Sequence, residues 1–473
     1  MILSEILEGI TYSGYCSNEE ISFITDDSRK AAEGCLFICI SGNNFDGHSV
    51  AEEMLAKGAV AVVAERDLGL ERQIVVENTR SSFSRLCAAF YDHPEYKIDM
   101  VGITGTNGKT TTCFVLKELF ERAGYKCGLI GTVKNLIGDR EVKASFTTPG
   151  PNELFALLAQ MADDGCTHCF MEVSSQALAQ GRVDAIRFAA AVFTNLTQDH
   201  LDYHGTMENY MAAKKILFSM SDRAVANYDD SKCAYMLEGI NSMKFTYSIE
   251  SDFSSYSAKN IRLAPDSVEY ELVSDGRMGH LHFGVPGRFS VYNSMAAAVT
   301  AVELGLDFDE VLKNIALCGG VPGRMEVVPT GRNVTAIVDY AHTPDGLENA
   351  IKALKETAAG RVITVFGCGG DRDRKKRPIM GKTVSAFADV AIVTSDNPRT
   401  ENPDEIIKEI TAGMSGEYYV EPDRKKATAL ALSIAASGDV VLVAGKGHED
   451  YQIIGKEKIH YDDREIIREL TEN

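Results

Sequence analysis

The residues with the clearest chemistry lie at positions 105–111, which read Gly-Thr-Asn-Gly-Lys-Thr-Thr. An apolar, β-branched lead-in at residues 100–103 precedes them, and a helical pattern of apolar residues follows. This order predicts a strand, a phosphate-binding loop and a helix, in which backbone N–H groups and the helix N-terminus attract phosphate oxygens. Lys109 would add a positive charge and Thr110 a hydroxyl ligand for Mg²⁺. The predicted nucleotide contacts in this loop are Gly105, Thr106, Asn107, Gly108, Lys109, Thr110 and Thr111.

The spacing of this loop departs from the strict Walker motif. Ile103 stands five positions before Gly108, and the glycines fall at Gly102 and Gly105 instead. A glycine-rich turn without a ligand is the alternative, but the strand and helix on either side favour nucleotide binding.

Carboxylate and imidazole groups follow two further apolar runs. Glu172 ends the run Cys-Phe-Met at residues 169–171, where a solvated carboxylate is uncommon, so it is interpreted as a Mg²⁺ ligand rather than half of a structural ion pair. His200 belongs to the cluster Asp-His-Leu-Asp-Tyr-His at residues 199–204, which follows the run at 192–196. Such a cluster just past a strand suits metal or phosphate chemistry.

Lys214 occupies an unusual position in the predicted helix 207–219. Its neighbours three and four residues away are Tyr210, Met211, Leu217 and Phe218, so its amine projects from an apolar face. Desolvation lowers an amine pKa, and a neutral amine can react with CO₂ to form a carbamate. An ordinary surface lysine is the alternative, which the adjacent Lys215 fits.

Composition limits the kind of protein this is. The chain has 473 residues, of which 45% are hydrophobic and 25% charged, which is typical of a globular enzyme with several domains. Its net charge of −20 disfavours nucleic-acid binding and implies a local basic site for any anionic substrate. Neither a signal peptide nor a membrane-spanning run is predicted, so we expect a cytoplasmic protein without membrane insertion.

The eleven cysteines form no repeated framework, which suits a reducing compartment. Cys166 and Cys169 have the spacing of a redox or metal pair. No second pair accompanies them and an apolar run follows, so they are interpreted as core cysteines.

Alternating strand and helix patterns predict an α/β protein of three domains. Residues 1–95 form the first, ending near a helix at 81–91 and the sequence His-Pro at 93–94. Residues 96–322 form a central domain with a mostly parallel sheet, in which a helix is predicted at 296–304, and residues 323–473 form a second parallel α/β domain. In such sheets ligands bind at the carboxyl ends of the strands.

Two polar loops of the last domain follow predicted strands. The loop at 367–377 concentrates basic residues in an acidic chain and predicts an anion site, with a solvated loop as the alternative. The other is Thr-Ser-Asp-Asn-Pro-Arg at 394–399.

These motifs together resemble the Mur ligase family, which joins amino acids to acids at the expense of ATP. The resemblance covers nearly the whole chain, and its motifs stand in the family's order at residues 105–111, 171–175, 180–182, 199–205, 320–326, 339–344 and 445–449. It implies a central ATPase-like sheet flanked by an N-terminal UDP-binding domain and a C-terminal Rossmann-like domain. Ser290 departs from the pattern, because relatives usually carry asparagine there.

The resemblance also implies ligand contacts at matching positions. The UDP-linked substrate would contact Ser28, Asn43, Asn44, Phe45, Thr147, Thr148, Ser174, Gln180 and Arg182. ATP would also contact Asn293, Arg324 and Asp339. The incoming amino acid would contact Arg372, Asp396, Asn397, Pro398, Arg399, Gly445 and Glu449. Catalysis would use Lys109, Glu172, His200 and Lys214, with Mg²⁺ held by Thr110, Glu172, His200 and a carbamate on Lys214.

The branch of the family that the motifs match adds the third amino acid of the peptidoglycan precursor. The implied reaction joins meso-2,6-diaminopimelate to the D-glutamate side chain of UDP-MurNAc-L-Ala-D-Glu through an acyl phosphate, by a monomeric ligase of cell wall synthesis. The version Asp-Asn-Pro-Arg at 396–399 accompanies diaminopimelate, whereas enzymes that add lysine usually lack the arginine.

Three alternatives stay open at the level of the sequence. The ligase could add L-lysine instead. A ligase resembling folylpolyglutamate synthetase would share the phosphate loop and the lysine, but it would need neither residues 1–95 nor Arg399. A nucleotide-dependent switch or scaffold would turn over ATP without a second substrate.

Overall fold

The structure is a computed structural model. It describes residues 1–42 and 45–472, without the side chain of Asp202. Asn43 and Asn44, two predicted contacts of the UDP-linked substrate, lie outside the described residues. The chain forms two compact units, one of residues 1–255 with 299–306 and one of residues 256–298 with residue 307 onward. This division differs from the three predicted domains, whose boundaries stay predictions.

The first unit begins with a small α/β layer. Its elements are α1 (Leu3–Ile6), β1 (Ser13–Gly14), β2 (Phe23–Thr25), β3 (Cys35–Ile38), a 3-10 helix (Gly47–Val50), α2 (Ala51–Ala56), β4 (Ala61–Ala64), β5 (Gln73–Val75) and α3 (Thr79–Phe90). The sheet order is β1-β5-β4-β3-β2, and only β1 runs antiparallel to its neighbour. The strands β3 and β4 are buried throughout. The helix predicted from residue 81 begins at Thr79 because Asn78 caps it.

The phosphate loop lies in the larger sheet of the first unit. The elements are a 3-10 helix (Pro94–Tyr96), β6 (Asp99–Thr104), α4 (Lys109–Arg122), β7 (Cys127–Ile130), β8 (Asn135–Ile137), β9 (Arg140–Val142), α5 (Pro151–Asp163), β10 (His168–Glu172), α6 (Ser175–Ala179), β11 (Phe188–Phe193), α7 (Leu201–His204), α8 (Met207–Ser219), β12 (Ser221–Asn227), α9 (Cys233–Leu237) and β13 (Met243–Ser248). Their order is β13-β12-β11-β6-β10-β7-β8-β9, parallel from β13 to β7 and antiparallel beyond.

Parallel pairing brings the ends of three central strands to one edge of this sheet. Glu172 at the end of β10 pairs with Ile103 of β6, and Phe193 at the end of β11 pairs with Thr104. These strands are apolar over most of their length because helices cover both faces of a parallel sheet. Cys166 and Cys169 are free and buried, as predicted for core cysteines.

Apart from residues 299–306, which belong to the first unit, the chain from residue 256 onward forms the second unit. Its elements are β14 (Tyr256–Leu263), β15 (Val268–Ser274), β16 (Arg277–Phe283), α10 (Arg288–Glu303), α11 (Phe308–Ile315), β17 (Glu326–Val328), β18 (Thr335–Asp339), α12 (Pro344–Lys355), β19 (Val362–Phe366), α13 (Lys376–Phe387), β20 (Val390–Val393), α14 (Pro403–Thr411), β21 (Tyr419–Val420), α15 (Arg424–Ile434), β22 (Val440–Ala444), β23 (Tyr451–Ile454), β24 (Glu457–His460) and α16 (Asp463–Thr471).

The main sheet of this unit has the order β17-β18-β22-β19-β20-β21 and is parallel except for β17. The strands β14, β15 and β16 are antiparallel, as are β23 and β24. The predicted parallel α/β layer is therefore confirmed. No helix among the described residues combines the length and apolar character needed to cross a membrane.

The prediction for α10 was wrong at its start. The sequence predicted a helix from residue 296, but α10 begins at Arg288 and thus carries Ser290 and Asn293. Gly287 adopts a left-handed φ of 92°, and the Ser290 hydroxyl donates to the Pro286 carbonyl at 2.8 Å. This bond satisfies a carbonyl beside the first turn, which an apolar periodicity does not reveal.

Candidate functional site

The phosphate loop connects β6 to α4, as predicted. Gly105 and Gly108 adopt φ values of 151° and 85°, and a Cβ on Gly105 would overlap the Thr194 hydroxyl. Asn195, which follows β11, accepts hydrogen bonds from Thr106 N at its carbonyl and from Asn107 N at its side chain, both at 2.9 Å. Asn195 therefore holds one side of the loop in place, and this fixes the direction of the loop's remaining N–H groups.

Two lysine amines meet at one carbonyl of this loop. Lys109 Nζ donates to Gly105 O at 3.0 Å and to Thr106 O at 2.8 Å. Lys214 Nζ donates to the same Gly105 O at 2.9 Å, although it comes from α8, and to Thr104 Oγ1 at 3.4 Å. The Lys214 residue is only 2% exposed. Burial, and secondly the charge of Lys109, lower the pKa of the Lys214 amine well below its usual value.

Asp199 opposes this effect on both amines. Its carboxylate raises the pKa of Lys214 and of Lys109, whose pKa is nevertheless lowered overall by burial. His200 is exposed, has a left-handed φ of 51° and lies with Nε2 3.5 Å from Asp199 Oδ2. Tyr210 lies under the Lys214 amine at 4.7 Å and bonds Thr106 through its hydroxyl at 3.2 Å.

Glu172 is the buried carboxylate at the end of β10. It is 1% exposed, and it accepts hydrogen bonds from Thr132 N at 2.8 Å on Oε1 and from the Thr132 hydroxyl at 3.1 Å on Oε2. The Thr132 hydroxyl also lies 2.9 Å from that of Thr147. The charge of Glu172 raises the pKa of Lys109, so the carboxylate lies near the phosphate loop.

Most predicted contacts of the UDP-linked substrate are connected by hydrogen bonds to the backbone or the side chain of Glu172. Thr148 donates its hydroxyl to the Glu172 carbonyl at 2.8 Å and accepts from Ser174 N at 3.0 Å. Arg182 donates to the Thr148 carbonyl at 2.7 Å and, through Nε and Nη2, to Gln180 Oε1 at 3.0 and 2.7 Å. The structure therefore brings Thr147, Thr148, Ser174, Gln180 and Arg182 into one network.

A cavity of about 460 Å³ adjoins this network in the first unit. Gln180 and Arg182 line it, and Phe146 lies with its ring 5.8 Å from the Arg182 guanidinium. Ser28 lies in the turn after β2, beside Asp27 and Lys30, which line the cavity. Phe45 is 50% exposed and does not line it.

The remaining predicted ATP contacts lie in the second unit. Asp339 ends β18 and accepts hydrogen bonds from Met325 N and Ala341 N, both at 2.8 Å, while burial raises its pKa. Met325 has a left-handed φ of 46°, and the preceding Arg324 stacks 5.0 Å above the Tyr340 ring. Asn293 is buried on α10.

The predicted amino-acid contacts surround a second cavity of about 370 Å³. Its lining contains Tyr340, His342, Gly369, Arg372, Lys376, Asp396, Asn397, Arg399, Gly445, Glu449 and Tyr451. Except for Pro398, which lies buried between Asn397 and Arg399, every predicted contact of the amino acid is present. The cavity thus combines two carboxylates, Asp396 and Glu449, with three cationic side chains.

Arg399 is fixed in place by unusual backbone geometry. Its φ of 50° is left-handed, its N–H donates to Ile453 O at 3.1 Å, and its carbonyl accepts from Gly455 N at 2.7 Å. The guanidinium donates from Nη1 to Gly370 O at 2.7 Å. Positive φ at a non-glycine residue is costly and persists where the surroundings impose it, which is common at ligand sites.

The basic residues of the loop at 367–377 have two different roles: some form ion pairs within the fold and others line the cavity. Arg377 is fully buried and pairs with Glu401 at 2.7 Å and Glu409 at 2.9 Å, and Arg374 pairs with Glu409. Of the basic residues in this loop, Arg372 and Lys376 line the cavity. The loop is therefore neither wholly solvated nor wholly an anion site.

Several residues of the site had no separate prediction. Thr132, Thr194 and Asn195 orient Glu172 or the phosphate loop, and Asp199 faces both amines. Asp199 could have been found from the cluster at 199–204, whereas Thr132 stands in a stretch without a chemical signal of its own.

The residues beside the phosphate loop offer some, but not all, of the ligands that a Mg²⁺ ion needs. Among residues 1–42 and 45–472, no three His, Cys, Asp or Glu side chains are arranged to hold a metal ion. Protein Mg²⁺ sites commonly use one or two carboxylates together with substrate phosphates and water. The buried Glu172 carboxylate and the Thr110 hydroxyl in the first turn of α4 match that type of site.

Comparison with known proteins gives matches along most of the chain. Three family models match: "Mur ligase family, catalytic domain" at residues 20–93, "Mur ligase middle domain" at 103–301 and "Mur ligase, glutamate ligase domain" at 323–447.

Similar proteins include curated relatives and a solved structure. The UDP-N-acetylmuramoyl-L-alanyl-D-glutamate--2,6-diaminopimelate ligase 1 of Clostridium acetobutylicum is 42% identical, with 99% of each chain covered. The 2,6-diaminopimelate ligase of that type from Geobacillus kaustophilus is 44% identical over 95% of each chain. A solved structure of such a ligase has a TM-score of 0.79 and 32% identity, covering 100% of this chain and 99% of its own.

Proposed function

The chain belongs to the Mur ligase family, and from this premise we propose that it joins meso-2,6-diaminopimelate to the D-glutamate side chain of UDP-MurNAc-L-Ala-D-Glu at the expense of ATP. The product is the tripeptide precursor of peptidoglycan. Relatives that are at least 40% identical over nearly the whole chain carry the name of this ligase.

The observation that carries the proposal is the charge pattern of the second cavity. Asp396 and Glu449 can accept hydrogen bonds from an ammonium group, while Arg372 and Arg399 can donate to a carboxylate. Diaminopimelate reacts at one end and keeps an amine and a carboxylate on a single carbon at the other end. One cavity with both kinds of partner suits that distal group, whereas lysine offers only the amine.

The chemical steps follow from the residues around the phosphate loop. The D-glutamate carboxylate attacks the γ-phosphorus of ATP, so that an acyl phosphate forms and ADP leaves. The amine of diaminopimelate then attacks the acyl carbon, loses a proton and expels phosphate, leaving an amide. Lys109 stabilises the charge that develops on the transferred phosphoryl group, and alignment of the reactants supplies much of the rest.

Mg²⁺ belongs to the proposal as a partner of the phosphates. When bound, it would neutralise phosphate charge, with Thr110, Glu172, His200 and a carbamate on Lys214 as its protein ligands. Lys214 supports this because burial, and secondly the charge of Lys109, lower the pKa of its amine well below the usual value, and the neutral form of an amine is the form that reacts with CO₂. The exposed His200 side chain, paired with Asp199, is the least constrained member.

The UDP-linked substrate is assigned to the 460 Å³ cavity of the first unit. Arg182, fixed by Thr148 and Gln180, offers a cation to its phosphates, and Phe146 a ring to its apolar parts. Ser28, Asn43, Asn44 and Phe45 stay proposed contacts of its uridine end. The proposed enzyme works as a monomer in the cytoplasm, the compartment in which its UDP-linked substrate and ATP are dissolved.

Phosphate release by the purified protein tests this function. With ATP, Mg²⁺ and UDP-MurNAc-L-Ala-D-Glu, phosphate should appear rapidly only when meso-diaminopimelate is added, and mass spectrometry should show the tripeptide product. Equal release without any amino acid would favour a nucleotide switch. Ligation of glutamate to a folate would favour the folylpolyglutamate-type alternative, and comparable rates with L-lysine would overturn the choice of amino acid.

A further inference from the structure

Lys446 is a fully buried lysine behind the second cavity, with 0% of its residue surface exposed. It follows the buried strand β22 and is not among the residues that line the cavity. A buried ammonium is costly unless its donors are satisfied. Its Nζ donates to Asn397 Oδ1 at 3.0 Å and to Glu449 Oε2 at 3.2 Å, and lies 5.5 Å from the centre of the Tyr451 ring.

These bonds determine which way the Asn397 amide faces. Its Oδ1 accepts from Lys446 Nζ and also from Ile453 N at 3.0 Å, so two donors fix the oxygen on the inner side. The amide nitrogen is thereby directed to Glu449 Oε2, at 2.9 Å. Reversing the amide would place an N–H₂ group against two other donors.

The same bonds determine which Glu449 oxygen remains available. Oε2 accepts from both Lys446 and Asn397, whereas the structure gives Oε1 no hydrogen bond to another described residue. The Glu449 side chain is 17% exposed and lines the cavity. One oxygen is therefore bound from behind, and the other is left to a ligand in the cavity.

Lys446 also balances charge. Asp396 and Glu449 line the same small cavity, and two carboxylates repel each other in such surroundings. The ammonium of Lys446 offsets one of these charges from a place that a substrate does not reach.

We propose that Lys446 is a positioning residue for the amino-acid substrate: by holding Asn397 and Glu449 from behind, it presents Glu449 Oε1 to the substrate ammonium. This inference rests on the proposed function, since it assumes that the 370 Å³ cavity receives an amino acid. Lys446 acts through Glu449 and does not touch the substrate.

The test combines Lys446→Met with direct binding of meso-diaminopimelate, measured by isothermal titration calorimetry, and with steady-state kinetics. Truncating one partner of a buried charge pair across a binding interface typically weakens binding by about 30-fold or more. Lys446→Met leaves Glu449, the proposed partner of the substrate ammonium, without the group that orients it. We expect that loss in the affinity and KM for diaminopimelate, with KM for ATP and for the UDP-linked dipeptide changed less than about twofold. A general loss of structure would instead affect all three substrates.

A double-mutant cycle shows whether Lys446 acts through Glu449. In a Glu449→Gln background, Lys446→Met should weaken diaminopimelate binding far less than it does in the wild type, because the oriented carboxylate is already gone. The control is Lys458→Met. Lys458 lies 3.8 Å from the same Tyr451 ring but is exposed on β24, so its removal should leave every KM unchanged.

The outcomes separate this inference from the proposed function. If wild-type protein neither binds nor ligates meso-diaminopimelate, both are wrong. If the wild type does so and Lys446→Met binds it equally well, or if the two mutations are additive, only the inference is overturned. Should Lys446→Met fail to fold, Lys446→Gln keeps a donor without the charge, and it is expected to bind diaminopimelate with intermediate affinity.

Discussion

At the scale of single residues, Lys109 is the lysine that belongs to the predicted phosphate loop itself. Its amine donates hydrogen bonds to two carbonyls of its own loop, those of Gly105 and Thr106. Lys109→Ala should lower kcat by about 100-fold or more, since removing one preorganised electrostatic partner typically costs that much. Circular dichroism and thermal unfolding should stay close to the wild type. Substantial ligation by the folded variant would contradict the assignment of the loop.

Lys214 tests whether a buried amine becomes a ligand. Lys214→Ala should be nearly inactive and regain part of its activity with acetate or formate, which can replace the carbamate oxygens. ¹³C NMR after incubation with ¹³C-labelled bicarbonate should show a carbamate signal in the wild type only. Acidification should remove that signal, because protonation of the amine blocks reaction with CO₂.

Lys215→Ala is the matched control for Lys214. Lys215 is the next residue on α8, but its amine lies 4.3 Å from the centre of the Tyr235 ring instead of beside the loop. The Lys215→Ala variant should keep both the ligase activity and the carbamate signal. An unmodified Lys214 in active wild-type protein would exclude the carbamate.

Arg399 tests the choice of amino acid. Arg399→Ala should lower kcat/KM for meso-diaminopimelate by about 100-fold or more, because a carboxylate loses a charged partner in a confined cavity. The ratio of kcat/KM for diaminopimelate to that for L-lysine should fall with it. Arg374→Ala removes an arginine that is paired with Glu409 outside the cavity, and it should not change that ratio. A ratio near one in the wild type would contradict the predicted specificity.

At the scale of elements, one buried arginine joins α13 to α14. Arg377 is fully buried at the start of α13 and pairs with Glu401, just before α14, and with Glu409 on that helix. Hydrogen bonding to Arg377 lowers the pKa of Glu401 from 4.5 to about 2. The pair therefore stabilises the fold above pH 4.5, and this contribution is lost as the pH falls towards 2.

Glu401→Gln should consequently reduce the free energy of unfolding at pH 7 by about 2 kcal/mol, the usual scale of a charged hydrogen bond. The difference from the wild type should shrink as the pH approaches 2. Scanning calorimetry at several pH values measures both effects. Glu405→Gln is the control, because Glu405 lies exposed on α14, 3.8 Å from Lys408, which is exposed as well. A Glu401 effect independent of pH would contradict the ion-pair explanation.

At the scale of the whole molecule, the distribution of thiols reports on the fold. Cys16 is exposed, whereas the other ten cysteines are buried and free. Burial raises the pKa of Cys39, Cys127, Cys233 and Cys368 to about 12. A thiol-specific chromogenic reagent should therefore react quickly with about one thiol in the native protein and with all eleven after denaturation. Rapid reaction of several native thiols would contradict the described cores.

Local patterns determined much of this protein. Strand, glycine turn and helix around residues 105–111 predict a phosphate loop without reference to any distant residue, because backbone geometry and helix polarity act over a few positions. The helix 207–219 likewise follows from its periodicity, and the family follows from the order of its motifs.

Only the tertiary structure decided which side chains act on one another. Lys109 and Lys214 are 105 positions apart, yet both donate to Gly105 O, since parallel pairing brings separate strand ends and α8 to one edge. Residue type and local spacing did not separate Arg377, which pairs with two glutamates, from Arg372, which lines a cavity, and only the family resemblance singled out Arg372. Both are arginines of one basic loop. Burial and pairing distinguish them, and these depend on Glu401 and Glu409, whose proximity no local pattern encodes.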